Sequence, residues 1–136
     1  MIARRSVEHV ETGELVMKRI FVAGPWEHRQ KARELMRKIE RTFADVEVTH
    51  DWTREDDEDA VVAASLDLVG VQRADELVIL WPPTGGHGLF VEMGVAIERG
   101  MRVHLVPLED SADAVPFRTI YQELPGVYAY PNVEVM

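Results

Sequence analysis

The chain has 136 residues, 46% of them hydrophobic and 29% charged, so it is sized and composed as one globular domain rather than a disordered or collagen-like chain. A net charge of −9 excludes a broad electropositive footprint for nucleic-acid polymers, but not a small anion held by backbone N–H groups at a helix N-terminus. Cysteine is absent, which removes disulfides, thiolate metal sites and cysteine nucleophiles; no secretory signal or membrane-spanning apolar run is evident, so a cytoplasmic protein without membrane contact is expected.

Residues 1–16 carry no clear period and read as an N-terminal extension, with a single domain expected over 17–136. Residues 18–23 form a β-branched and aromatic run ended by Gly24-Pro25, which predicts a strand. From Glu27 to Ala44 the apolar positions Ala32, Leu35, Met36, Ile39 and Phe43 recur at helical spacing. Residues 46–50 alternate as a half-buried strand does, and 51–59 read as an acidic loop. A second helix is expected from Glu58 to Ala74, and the apolar run 76–81 predicts a strand covered on both faces. A glycine-rich loop, 82–88, leads into a helix from Leu89 to Arg99, with Gly100 placed as its terminating glycine. Residues 101–106 predict a strand stopped by Pro107. A short helix over 113–121 and a last strand over 127–130 complete the chain.

Strands alternating with helices imply parallel pairing through right-handed crossovers. The expected fold is a three-layer α/β/α sandwich with a five-stranded, mostly parallel sheet of the flavodoxin or Rossmann-like kind. In such sheets ligands sit outside the carboxyl ends of the strands. The loops at Gly24-Pro25-Trp26, His50-Asp51-Trp52 and 82–88 meet there. Gly86 and Gly88 offer close backbone approach to a ligand, while Trp26 and Trp52 offer aromatic faces, either to a nucleobase or as an apolar cap on the sheet.

Two acidic residues interrupt apolar helix faces. Glu92 has Gly88, Leu89, Val95 and Ala96 three and four residues away, where burying an unpaired charge is costly. Placed in the first turn, it also gains from the helix dipole. The two pulls together describe an anionic, poorly solvated carboxylate of the kind a nucleophile requires; the alternative is a dipole-stabilising glutamate turned to solvent. Asp67 stands among Ala63, Ala64, Gly70 and Val71, which leaves either space for a ligand or an ion pair with a cation such as Arg73. The five histidines show no metal-ligand spacing, the serines lie in no nucleophile elbow, and no Walker loop or dinucleotide fingerprint is present, so neither a metal nor a cofactor is expected.

Three segments, taken together, resemble the nucleoside 2-deoxyribosyltransferase superfamily, which includes nucleoside 5′-monophosphate N-glycosidases. They are Ile20-Phe21-Val22-Ala23-Gly24-Pro25, then residues 67–75, then the Gly-x-x-x-Glu-x-Gly-x-Ala pattern over 88–96. The resemblance implies cleavage of an N-glycosidic bond in a (deoxy)nucleoside or nucleotide, with Glu92 attacking the anomeric carbon and Asp67 assisting departure of the base. Gly24 and Pro25 would line the site, and Trp26, Asp51, Trp52, Gly86 and Gly88 are further expected contacts to substrate. It also implies a homodimer or larger homo-oligomer. The deoxyribosyl group would pass to another base; transfer to water, as in the monophosphate hydrolases, and a catalytically silent nucleotide sensor are the alternatives.

Overall fold

The computed structural model describes residues 17–54, 59–81, 88–107 and 125–130. The expected extension over 1–16, most of the glycine-rich loop and the expected helix over 113–121 lie outside them. In chain order the elements are β1 (Lys18–Ala23), α1 (Arg29–Thr42), β2 (Val46–Val48), α2 (Ala60–Arg73), β3 (Glu76–Trp81), α3 (Gly88–Glu98), β4 (Arg102–Pro107) and β5 (Val127–Ala129). The five strands form one sheet in the order β2-β1-β3-β4-β5, and each neighbouring pair is parallel. The chain steps one way from β1 to β2 and the other way from β2 through β3 to β4. Right-handed crossovers therefore put α1 on one face and α2 with α3 on the other. The result is the expected three-layer α/β/α fold.

Local chemistry explains the elements. Buried Ala32, Leu35, Met36 and Ile39 give α1 an apolar stripe at the helical period. The Asp59 side chain caps α2 by accepting from the N–H groups of Val61 and Val62. After α3, Gly100 adopts φ +69, and the N–H groups of Gly100 and Met101 reach back to Ile97 and Ala96, closing the helix as a Schellman motif. Several boundaries differ from expectation by one or two residues. Single 3-10 turns occupy Trp26–His28 and Trp52–Arg54, β2 ends at Val48, and α3 begins at Gly88. The last shift moves Glu92 out of the first helical turn.

β1, β3 and β4 supply the core: Phe21, Val22, Leu77, Val78, Ile79, Val103 and Leu105 are fully buried. A polar chain crosses the amino-terminal side of this core. Lys18 pairs with Glu76, whose other oxygen meets His104 Nε2 at 2.9 Å, while His104 Nδ1 lies 2.8 Å from the Tyr130 hydroxyl. Because Lys18 already balances Glu76, a neutral imidazole completes the chain: Nε2–H donates to Glu76 and Nδ1 accepts from Tyr130. Burial, with the charges of Lys18 and Arg102, pushes the His104 pKa down from 6.5 to about 4. Burial likewise raises that of Tyr130, which keeps its hydroxyl a donor.

A group with a depressed folded-state pKa adds stability above its unfolded pKa and loses it as pH falls. The His104 contribution, up to about 3 kcal/mol, is therefore expected to disappear between pH 6.5 and about 4. Urea unfolding at pH 7 and pH 4.5 is expected to show a smaller stability loss in His104→Gln than in the parent chain.

Candidate active site

At the carboxyl ends of β1 and β3 a cleft of about 360 Å³ opens between the β1–α1 connection and helices α2 and α3. Its near wall is Gly24, Pro25 and Trp26, which follow β1 directly. Trp52, on the 3-10 turn after β2, closes one end. Asp67 enters from α2; Gly88 and Glu92 enter from α3. Seven of the nine residues expected at the site thus share one cavity. The structure also adds three that the sequence reading did not select: Glu27, Ala63 and Leu89. Ala63 and Leu89 precede Asp67 and Glu92 by one helical turn, so helical spacing alone was sufficient to find them. Glu27 carried no such signal, because its place follows from the 3-10 turn at Trp26–His28.

Asp51 does something other than face the cavity. Its carboxylate accepts from the N–H and hydroxyl of Thr53 and from Arg37 at 2.8 Å, with Arg54 at 3.3 Å. Burial opposes its ionised form, but the Thr53 hydrogen bonds and the two guanidinium groups outweigh that and hold the carboxyl below its usual range. Arg33 ties the same turn to α1 through the Thr53 hydroxyl and carbonyl oxygens at 3.0 and 2.9 Å. This network fixes the turn that carries Trp52. The Trp52 indole N–H donates to the Val22 carbonyl at 2.6 Å, and its side chain is buried. Trp26, 47% exposed, stands 6.3 Å from it between ring centroids with the planes at 42°, and the Arg29 guanidinium lies 4.6 Å over the Trp26 ring. One indole is a fixed wall and the other a solvent-facing rim. Gly86 lies outside the described residues.

The electrostatics of Glu92 depart from the expected anion. Its carboxyl is half-buried in the second turn of α3, where the dipole has little reach. Burial first, then the negative charge of Asp67, raise its pKa from 4.5 to about 8. At neutral pH Glu92 is therefore mainly protonated. Desolvation and a like charge outweigh the helix dipole. Among the described residues no group of three or more His, Asp or Glu side chains could hold a metal ion.

No protein-family model matches the chain, and no curated protein matches it. Solved structures do. A CMP N-glycosidase of Clostridium botulinum (BcmB) superposes with a TM-score of 0.61 at 18% identity, covering 86% of this chain and 92% of that one. A 2-deoxyribosyltransferase from Leishmania mexicana superposes with a TM-score of 0.54 at 14% identity, covering 76% and 79%. Both are enzymes of the nucleoside 2-deoxyribosyltransferase superfamily, the family that the three sequence segments resemble, and at these identities what they share with this chain is the fold.

A group whose folded-state pKa is raised contributes stability below its unfolded pKa and loses it as pH rises. Glu92→Gln is therefore expected to leave the melting temperature unchanged at pH 4 and to raise it progressively between pH 4.5 and about 8, by several degrees at pH 9. Calorimetry at the two pH extremes checks this.

Proposed function

We propose that this protein cleaves the N-glycosidic bond of a (deoxy)nucleoside or nucleotide through a covalent glycosyl intermediate on Glu92, and passes the deoxyribosyl group to a second nucleobase. The observation that carries the reading is the convergence of Glu92 and Asp67, from two helices, on one cleft where burial and the charge of Asp67 raise the Glu92 pKa. The deoxyribosyltransferase with the same fold supports transfer as the outcome. Water as the acceptor is the second reading, favoured by the CMP N-glycosidase, which superposes with the higher TM-score.

Such a pair suits the reaction. Breaking the bond between C1′ and the base nitrogen leaves positive charge on the sugar and an electron pair on the base. A proton shared between the carboxyls passes to the departing nitrogen through Asp67. Glu92, now anionic in a poorly solvated cleft, faces the developing cation and bonds to C1′. In the second half, the nitrogen of an incoming base or a water oxygen attacks C1′, displaces Glu92, and surrenders a proton to the pair. The wall of Trp52 and the rim at Trp26 support a flat base as the leaving group.

Incubation with a deoxynucleoside and a different free base, read by chromatography, is expected to yield a new nucleoside. Free base alone points to hydrolysis, and no turnover of nucleosides or 5′-monophosphates overturns the reading. Glu92→Gln is expected to lower kcat by at least about a thousandfold while ligand still binds, and Asp67→Asn by about ten- to a hundredfold. Because departure of the base consumes the proton held below about 8, kcat/KM is expected to fall as pH rises through about 8.

We also propose that the chain works as a homo-oligomer. Supporting this, α2 buries only Gly70 and Val71, while Val61, Val62, Leu66 and Val69 are exposed beside Phe90 and Val91 of α3. An uncharged face of this kind can pair with its own copy about a two-fold axis despite a net charge of −9 on each chain. Light scattering is expected to give at least twice the chain mass, and Leu66→Lys to reduce it to one chain.

A further inference from the structure

His50 follows β2 immediately, on the edge of the sheet next to β1, and does not line the cleft. Its Nε2 lies 3.7 Å from Oδ1 of Asp67, which does. Three features hold the two side chains together. The Thr49 N–H donates to Ile20 O at 2.9 Å, continuing the parallel pairing of β2 past its last strand residue. The Thr49 hydroxyl donates to the carbonyl of Gly70 at 2.9 Å, which ties this segment to α2. Gly70 itself permits the approach: a Cβ there would stand 2.8 Å from the Phe21 ring and 3.0 Å from the His50 Cβ. Asp67 is three residues before Gly70, on the same side of the helix, and so meets the imidazole that this close packing delivers.

We propose that His50 is a positioning residue that acts through Asp67, an inference that rests on the glycosidic reading of the cleft. The cleft side of Asp67 faces Glu92 and, at the rim, Glu27, both acidic. The negative charge of Asp67 acts on Glu92 across the cleft, so the direction of the Asp67 carboxyl matters there. The imidazole behind it, oriented by its Nε2, sets the carboxyl in the direction from which it hands a proton to the departing base. The contact is specific to one ring nitrogen, and this separates positioning from bulk packing. A glutamine amide reaches the place of Nε2, whereas an asparagine amide reaches only that of Nδ1.

The test compares His50→Asn and His50→Gln in the full chain, each also made with Asp67→Asn, with thermal melts as the check on folding. His50→Asn is expected to lower kcat about ten- to a hundredfold and to change KM less than about threefold. His50→Gln is expected to recover at least about fivefold of that loss, and His50→Asn is expected to cost less than about twofold once Asp67 is already asparagine. Crystal structures of the parent chain and His50→Asn are expected to show the Asp67 carboxylate turned from its parent position. Unchanged kcat, equal losses in the Asn and Gln variants, losses that multiply with Asp67→Asn, or an unmoved Asp67 overturns the proposal. If the parent chain turns over no nucleoside or nucleotide, the glycosidic reading fails; the position of Asp67 in the two structures then decides the role of His50 separately.

Discussion

Two carboxyl groups that line one cleft set the electrostatics there. Asp67 comes from α2 and Glu92 from α3, and the parallel sheet delivers both helices to the same end of its strands. Removing Glu92 from water penalises its charged form, and the negative charge of Asp67 adds to the penalty. Protonation of Glu92 relieves that penalty. A cation forming on a ligand beside Glu92 would relieve the same penalty.

Buried Glu76 and half-buried Glu92 show how differently one residue type behaves under the same physics. Glu76, at the amino end of β3, is enclosed by Lys18 on one oxygen and His104 on the other, and the chain runs on to Tyr130. Its charge is compensated, and the group serves cohesion between the strands. Glu92, at the other end of the sheet, faces a like charge. Burial opposes ionisation in both; the sign of the neighbouring charge differs.

The polar interactions around the cleft are concentrated on one wall. Asp51, Thr53, Arg33, Arg37 and Arg54 lock the short turn that holds Trp52, while the Trp52 indole is tied to the backbone of β1. A rigid indole loses little on binding a flat ligand, because its rotamer is already set. Trp26, exposed and contacted by Arg29, gives the opposite side of the entrance a different character.

Much of the architecture was legible in the residues themselves. Alternation of β-branched runs with helical stripes such as Ala32, Leu35, Met36 and Ile39 specifies the element order, and the handedness of crossovers then restricts the topology. Gly100 announced the end of α3 because a positive φ is a local demand. Glu92 and Asp67 stood out as acids on apolar helices for the same reason: helical spacing is a short-range property. What the sequence did not contain was the sum over distant neighbours. Burial of Glu92 is the larger cause of its raised pKa, and Asp67, 25 positions away in the chain, adds its repulsion. Asp51 had the composition of a ligand contact but found Arg37 and Thr53 instead, while His50 gained its importance only when Gly70 let β2 approach α2. Element identity and the presence of acids on apolar helix faces are thus properties of the chain, since they depend on local periodicity. Protonation, the partner of each charged group and the shape of the cleft belong to the tertiary structure, because dehydration and Coulomb forces act through space between residues that the sequence keeps apart.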